Sequence, residues 1–543
     1  MNKNDKNHNG NHKNHNPTPY SSKEIKENKK KQVDVWKYKP YIGKAKILDI
    51  RTDSKIIIVN EAEAKEYDVY SGYRTELHYK NKFLVATVDV SNELIKEGEI
   101  GLTKEIHELM KIKNGEKIEL IHMNRPASIE YVKNKLDGKE LDAEQVKVIV
   151  DDIMSNKLSE VETAAWVTAA YIRGFTDNEI IALTNSTVES GERLDLGKKV
   201  KMVLDKHCIG GVVGNRTTML LVPIIAALKL YIPKTSSRAI TSPTGTADTM
   251  EVLAPVGFGI DELKEIVLKN YGAIVWGGGM KLAPIDDKLI RIRNPMRLDP
   301  EGMLLASILG KKKCVGATHI MIDIPVGRGA KILDVPRAQE LAKHFIKIGA
   351  NIGMKIETLI TDGAEPVGNG IGAALECRDV LQVLEGGGPD DLKHKACLMS
   401  GKLLELCGKA NKGQGYAIAE KTLLSGAALK KMKEIIEAQG GDPRVKSEDM
   451  PIGKYTYEVT AKENGKIFHI DNKTISKITR IAGSPRDKGA GVYLYRIRGD
   501  RVEKGDKLFT LYAESEAKLS FAIKALEDLE PVEMRRMLLE VMD

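Results

Sequence analysis

Paired cysteines, long apolar runs and aromatic side chains are what this 543-residue sequence has least of. Its five cysteines, Cys208, Cys314, Cys377, Cys397 and Cys407, are odd in number and scattered, with no Cys-x-x-Cys pair. That argues against a disulfide framework and a structural zinc site, and for a reducing compartment. The most apolar stretch, from Met219 to Ile232, contains Pro223 and Lys229 and falls short of the ~20 residues a membrane helix needs. The opening residues, MNKNDKNHNGNHKNHN, have no apolar core of the kind a secretory signal requires. The expectation is a soluble, cytoplasmic protein with no membrane partner. A Walker A pattern is missing, and Gly368-Asn369-Gly370-Ile371-Gly372 lacks the spacing of a dinucleotide fingerprint, so ATPase and dehydrogenase readings lose ground. Aromatic residues make up 5% of the chain while Lys, Glu and Ile are plentiful, a balance common in heat-adapted soluble proteins.

The formal charge of +8 suggests nucleic acid until it is mapped. Residues 1–32 hold eight lysines against three acidic residues, so most of the surplus sits in that tail and the body is nearly balanced. A basic tail of this kind is ordinarily just solvated, and no nucleic-acid partner is expected. His8, His12 and His15 could take up adventitious metal, but a disordered tail is the simpler reading.

A chain this long exceeds one hydrophobic core, and about three to five domains are expected. Residues 1–33 are Asn/Lys/His low complexity. Residues 34–124 shorten to strands (KAKILDI, SKIIIVN, FLVATVDV, KIELIHM), with one helix near Lys104–Lys111, and predict a β-rich N-terminal domain. Residues 125–195 predict a helical domain whose helix starts carry capping boxes: Asp142 with Gln145, Ser159 with Glu162, and Thr176 with Glu179. Segments 196–286 and 318–447 alternate strand, Gly/Ser/Thr loop and helix, the pattern of an α/β domain with a mostly parallel sheet. The stretch 287–317 interrupts it and is assigned to the helical domain. Residues 448–543 predict an α+β C-terminal domain with strands YTYEVTAK, GKIFHI, KITRIAG, GVYLYRI and KLFTLYA. Two closing helices are expected, Leu519–Leu529 and Glu533–Met542. The fold class is therefore multidomain α/β. The turn Gly499–Asp506 resembles lipoyl-carrier hairpins but lacks a Lys in a Met-Lys-like setting, so packing or assembly is the favoured role.

Two loops carry chemistry. Asp205-Lys206-His207-Cys208-Ile209-Gly210-Gly211 lies between a strand and a helix. Paired glycines there let backbone N–H groups approach an anion at a helix N-terminus, with Lys206 adding a charge. An ordinary tight turn fits this loop equally well. The second loop, Ser236 to Asp248, concentrates hydroxyls and Arg238, which suit a phosphate in the absence of a Mg²⁺-binding acidic pair. Some of those hydroxyls would instead be helix caps and turns.

These blocks resemble a known family. DKHCIGGVVGNRTTMLLVPIIAAL is similar to the phosphate-loop signature of the thymidine/pyrimidine-nucleoside phosphorylases. SSRAITSPTGTADTMEVL, ASILGKKKCVG and TDGAEPVGNGIGAALECRDVLQVLEGGGPDDL follow in that family's order, over about 127 to 543. Two departures, the Ser-Arg-Ala-Ile-Thr-Ser loop and the extra β-rich domain, resemble its archaeal branch acting on nucleoside monophosphates. The resemblance implies AMP plus inorganic phosphate giving adenine and ribose 1,5-bisphosphate, with CMP and UMP also accepted, no cofactor, no metal, and a homodimer or larger homo-oligomer. It places Gly211, Ser237, Arg238, Ala239, Ile240, Thr241, Ser242 and Thr246 on nucleotide and phosphate contacts, and Ser307 and Lys331 on further ligand contacts. Lys206 and Lys311 match family positions with less defined roles. Asp299, in Arg297-Leu298-Asp299-Pro300-Glu301, falls on the proton donor.

The chemistry agrees with that placement. Breaking an N-glycosidic bond leaves negative charge on the departing base, and an acid must protonate a ring nitrogen, which a carboxyl group does near neutrality when burial or a neighbouring anion holds its proton. Asp299-Pro300-Glu301 also reads as a helix N-cap with Pro in the first turn. The rival readings are a thymidine or uridine phosphorylase, an anthranilate-type phosphoribosyltransferase using a phosphoribosyl pyrophosphate donor and Mg²⁺, and a nucleic-acid-binding protein resting on the tail alone.

Overall fold

The computed structural model describes residues 40–52, 54–240, 242–535 and 542. The tail read as disordered, with its three histidines, and Thr241 lie outside the described residues. The chain divides into two compact units, Met1–Arg125 with Ser155–Lys157, and Pro126–Met154 with Leu158–Asp543.

In the first unit, six strands close into a barrel: β1 (Tyr41–Ile47), β2 (Ile56–Val59), β3 (Arg74–Tyr79), β4 (Lys82–Val90), β5 (Glu99–Leu102) and β6 (Lys117–His122), in the order β1-β5-β2-β4-β3-β6. Along β1 side chains alternate buried and exposed, as period-two strands facing one core must. Ile57, Leu77, Ile100, Leu102 and Ile118 fill that core. Closure leaves no unpaired edge, which short strands of this kind otherwise expose.

The second unit begins with helices Ser128–Leu136, Ala143–Met154, Glu160–Arg173 and Asp177–Glu189. All three expected capping boxes form; at the first, the Gln145 amide donates to Asp142 Oδ1 at 2.8 Å and the Asp142 amide donates to Gln145 Oε1 at 3.3 Å. Helices Pro284–Arg293 and Glu301–Cys314 add Ile285, Leu289, Met303 and Ala306 to the core built by Val146, Ile149, Trp166 and Leu183.

A parallel sheet follows. Strands β7 (Leu204–Cys208), β8 (Ile232–Ser236), β9 (Gly272–Trp276), β10 (His319–Val326) and β11 (Lys355–Asp362) pair in parallel as β11-β10-β7 and β8-β9. A parallel bridge between Val203 and Tyr231 joins the two sets. Helix Thr217–Ala227 is apolar all round and buried along most of its length, as a helix between layers must be. The loops after β7, β8, β10 and β11 all leave the carboxyl edge of this sheet, where open α/β folds bind ligands.

Two small antiparallel sheets complete the unit. Strands β12 (Gly370–Ile371), β13 (Tyr455–Thr460), β14 (Gly465–Ile470), β15 (Gly491–Leu494), β16 (Arg501–Val502), β17 (Lys507–Ala513) and β18 (Val532–Arg535) are ordered β12-β15-β17-β13 and β16-β14-β18. Two expectations fail here. KITRIAG is not a strand but part of helix Asn472–Ile481, capped by Asp471, whose side chain accepts from the Thr474 amide at 2.7 Å. Its β-branched residues bury Ile475 and Ile478 at helical spacing. The helix expected from Glu533 is a strand at its start, because Val532–Arg535 pairs with β14; residues 536–541 lie outside the described residues.

Asp379, on helix Ala373–Leu384, is buried; its Oδ2 accepts from the amides of Asn369 (2.8 Å) and Gly370 (2.6 Å), while Oδ1 has no hydrogen-bond partner among the described residues. Burial pushes this carboxyl up to about 6. The folded state therefore binds the proton more tightly than the unfolded chain, and stability falls as pH rises through the window from about 4 to 6. Asp379→Asn keeps an acceptor for both amides without a charge. Between pH 4 and pH 8 the stability difference should move by about 2–3 kcal/mol in the variant's favour, measured by urea denaturation. A difference that does not vary with pH would contradict this reading.

Candidate active site

The loop after β7 approaches the loop after β10 so closely that a side chain is excluded. Gly211 has φ +97°, and a Cβ there would lie 2.6 Å from the Lys331 amide nitrogen and 2.9 Å from Ala330 Cα. Gly211→Ala should push the two loops apart and lower kcat/KM by about 10²-fold, the cost of misplacing a site by roughly an ångström. Steady-state kinetics with unchanged kcat/KM would overturn that.

Beneath these loops lies a buried charge cluster. Asp205 faces Lys312 (2.8 Å) and Lys234 (3.4 Å), while Asp323 faces Lys395 (3.4 Å) and Lys206 (3.8 Å) and accepts from the Thr361 hydroxyl (2.7 Å). Even with Lys234 left out, three lysines against two aspartates leave an excess of positive charge under the carboxyl edge of the sheet, a floor suited to anions. Burial brings Lys234 down to about 7, and burial with the surrounding lysines holds His207 well below its usual value, so the imidazole is neutral. Lys206 is thus part of this floor and is shut off from solvent.

The second loop is pinned from within. Asp248 Oδ2 accepts from the amides of Ala239 (2.7 Å) and Gly245 (2.8 Å), and a Cβ on Gly245 would lie 2.3 Å from the Ser237 carbonyl oxygen. The Arg238 side chain is not an open phosphate ligand. Its guanidinium makes a bidentate pair with Glu251 (2.6 and 2.7 Å), adds Asp248 (3.1 Å), and stacks on Trp276 with Cζ 4.8 Å from the ring centre. That pairing holds Glu251 at about 2. The Ser242 hydroxyl donates to the Thr244 carbonyl, Ser237 and Ile240 are exposed, and Thr246 opens the helix Thr246–Met250.

One buried ion pair ties both loops together. Arg216, at the end of the first loop, donates through Nε to Glu376 Oε2 at 2.6 Å and through Nη2 to the Thr244 carbonyl at 2.7 Å. Glu376 also accepts from the hydroxyls of Thr244 (2.6 Å) and Thr249 (2.8 Å). Neither partner of this pair was singled out by the sequence.

Asp299 does not cap its helix: Pro300 is the N-cap of Glu301–Cys314, with no side-chain cap bond. Its carboxylate instead stands 3.4 Å from Arg293 Nη1 and 4.0 Å from Lys331 Nζ, half-exposed. It lines a cavity of about 260 Å³ with Ile209, Glu301, Leu304, Lys331 and Ile332. A neighbouring groove of about 690 Å³ adds Tyr171, Phe175, Asp177 and His344 around the same aspartate. Glu301 accepts from Arg337 and bonds His344 Nδ1 at 2.6 Å, both on helix Val335–Asn351. Ser307 and Lys311 meet on one acceptor, Asp286 Oδ2, at 2.7 and 2.5 Å. Buried Arg293 connects that acid to Asp299, with Nη2 3.9 Å from Asp286 Oδ1. Asp286 and Arg293 were missed in the sequence; both are ordinary members of an amphipathic helix, and only the fold brings them to Ser307 and Lys311.

The structure therefore joins Lys331 and Asp299 at one cavity, with Gly211 against the Lys331 backbone and Ser307 and Lys311 one residue layer away. The 237–246 loop is linked to them through Arg216 and Glu376. Among the described residues no helix is long and apolar enough to cross a membrane, and no cluster of three or more His, Cys, Asp or Glu could hold a metal ion.

Comparison with known proteins agrees with this architecture. Residues 129–191 match the helical bundle domain of the glycosyl transferase family, and 467–531 match the pyrimidine nucleoside phosphorylase C-terminal domain. Fold and site thus define a glycosyl transferase of the nucleoside phosphorylase class. Similar curated proteins are the AMP phosphorylase of Pyrococcus furiosus (43% identical), AMP phosphorylase 1 of Archaeoglobus fulgidus (44%) and the AMP phosphorylase of Thermococcus kodakarensis (43%), each aligned over 92% of this chain and 99% of its own length. The chain belongs to the AMP phosphorylase family. Among solved structures, anthranilate phosphoribosyltransferase from Thermus thermophilus aligns with a TM-score of 0.49 and 17% identity, over 57% of this chain and 98% of that one.

Proposed function

We propose that this chain catalyses phosphorolysis of AMP, releasing adenine and α-D-ribose 1,5-bisphosphate, and that it also accepts CMP and UMP. The observation that carries the reading is the meeting of Asp299 and Lys331 at one cavity on the carboxyl edge of the parallel sheet, with Gly211 packed against the Lys331 backbone and a lysine-rich floor beneath. In the reaction the bond from C1′ to the base nitrogen breaks, a bond from C1′ to a phosphate oxygen forms, and the departing ring takes up a proton, with Asp299 as donor once bound phosphate and nucleotide offset the two cations beside it. The loops after β7 and β8 supply backbone amides and hydroxyls for the two anionic groups, and Lys331 adds charge beside the acid. Positioning phosphate and nucleotide in line is the larger share of the catalysis.

Inorganic phosphate enters as co-substrate, so the reaction calls for no cofactor. A homodimer or larger homo-oligomer working in the cytoplasm is part of the same proposal. Parallel assays of AMP, adenosine and thymidine test it: kcat/KM should be highest for AMP, and each turnover should require phosphate. Preference for adenosine or thymidine would replace this reading with a nucleoside phosphorylase.

A further inference from the structure

The C-terminal domain reaches the site. The buried Asn472 at the start of helix Asn472–Ile481 accepts from the Val213 amide in the first anion loop at 3.1 Å. Its own amide group donates to the carbonyls of Gly363 and Ala364, both at 3.1 Å. At the other end of that helix, Arg480 Nη2 donates to the carbonyls of Ile240 (3.0 Å) and Ser242 (2.6 Å), at the tip of the second loop. Beyond it, the Ser484 hydroxyl donates to the Pro243 carbonyl at 3.3 Å, and Lys488 pairs with Glu251 at 2.8 Å and donates to the Asp248 carbonyl at 3.4 Å. Asp248 and Glu251 are the acids that hold the base of this loop.

Asp248 and Arg238 order the two ends of the loop, whereas Ile240 is exposed; among the described residues the Ser242 side chain bonds within the loop and its carbonyl accepts from Arg480. A guanidinium held by two loop carbonyls fixes where the backbone stands at Ile240 and Ser242, and so how the exposed edge of the loop meets an anion. Charge-assisted bonds from a single Arg to two carbonyls also fix direction as well as position.

From this geometry we infer that Arg480 is a positioning residue for nucleotide binding: it sets the tip of the 237–246 loop from the C-terminal domain, which makes that domain part of the substrate grip. The inference rests on the reading that this loop takes an anionic group of the nucleotide. It contacts the loop, not the reacting atoms, so its effect falls on affinity and leaves the chemical step intact.

The test uses the full chain with Arg480→Gln and Arg480→Lys. AMP binding is measured by titration calorimetry without phosphate, alongside kcat, both KM values and the thermal midpoint. The Gln variant should bind AMP about tenfold more weakly, the scale for losing charge-assisted hydrogen bonds. Its kcat should stay within about threefold, with an unmoved melting temperature and an unmoved KM for phosphate. The Lys variant, which can still donate to a carbonyl, should recover most of the affinity. Unchanged AMP affinity in the Gln variant would overturn the inference, as would a loss of affinity matched by equal losses in kcat and melting temperature. A wild-type chain that binds AMP but releases no adenine would refute the activity while leaving the binding comparison readable.

Discussion

Asp299→Asn should lower kcat for AMP phosphorolysis by about 10²–10⁴-fold while leaving the KM for AMP within a small factor. The substitution is nearly isosteric, and Asp299 makes no cap bond whose loss would disturb the helix Glu301–Cys314. Its neighbours, Arg293 at 3.4 Å and Lys331 at 4.0 Å, are both donors, so an amide oxygen can take the place of one carboxylate oxygen. What the amide cannot do is hand a proton to the departing base. The loss therefore belongs to kcat, and single-turnover measurements should show it in the chemical step. Activity within about threefold of wild type would remove Asp299 from the role of acid and turn attention to a water or to Lys331.

Glu376→Ala should destabilise the fold by about 3–5 kcal/mol, since removing one partner of a buried pair leaves the other charge uncompensated. Arg216 is 5% exposed and Glu376 1%, so water cannot replace the lost partner without opening the core. The hydroxyls of Thr244 and Thr249 lose their acceptor as well. Because the pair fastens the end of the first anion loop to the second, affinity for phosphate and for AMP should fall together. Chemical denaturation with phosphate titrations reads both effects. A destabilisation below about 1 kcal/mol would show that Arg216 finds another partner and that the loops are held by other means.

Local signals in the sequence were the legible ones. The capping boxes at Asp142, Ser159 and Thr176 need only residues three apart, and each forms as written. Both loops were visible as connections between a strand and a helix rich in glycine or hydroxyl residues, although an ordinary tight turn fitted the first equally well. Helix Asn472–Ile481 was misread because Ile and Thr in KITRIAG favour strands, although Asp471 followed by Thr474 offered a cap signal. Barrel closure was invisible: it depends on β1 pairing with both β5 and β6, more than fifty residues away. The site was half legible for the same reason. Arg216 and Glu376 meet across 160 positions, and the Arg238 side chain, read as a phosphate contact, pairs with Glu251, to which the sequence analysis gave no role.

The sugar product formed from AMP and phosphate bears most directly on the whole account. Phosphorus NMR of the reaction should show ribose 1,5-bisphosphate rising in step with free adenine, with neither appearing when phosphate is omitted. Ribose 5-phosphate as the product, or adenine release without phosphate, would mean that water and not phosphate attacks C1′, and the two-anion site described above would be wrong.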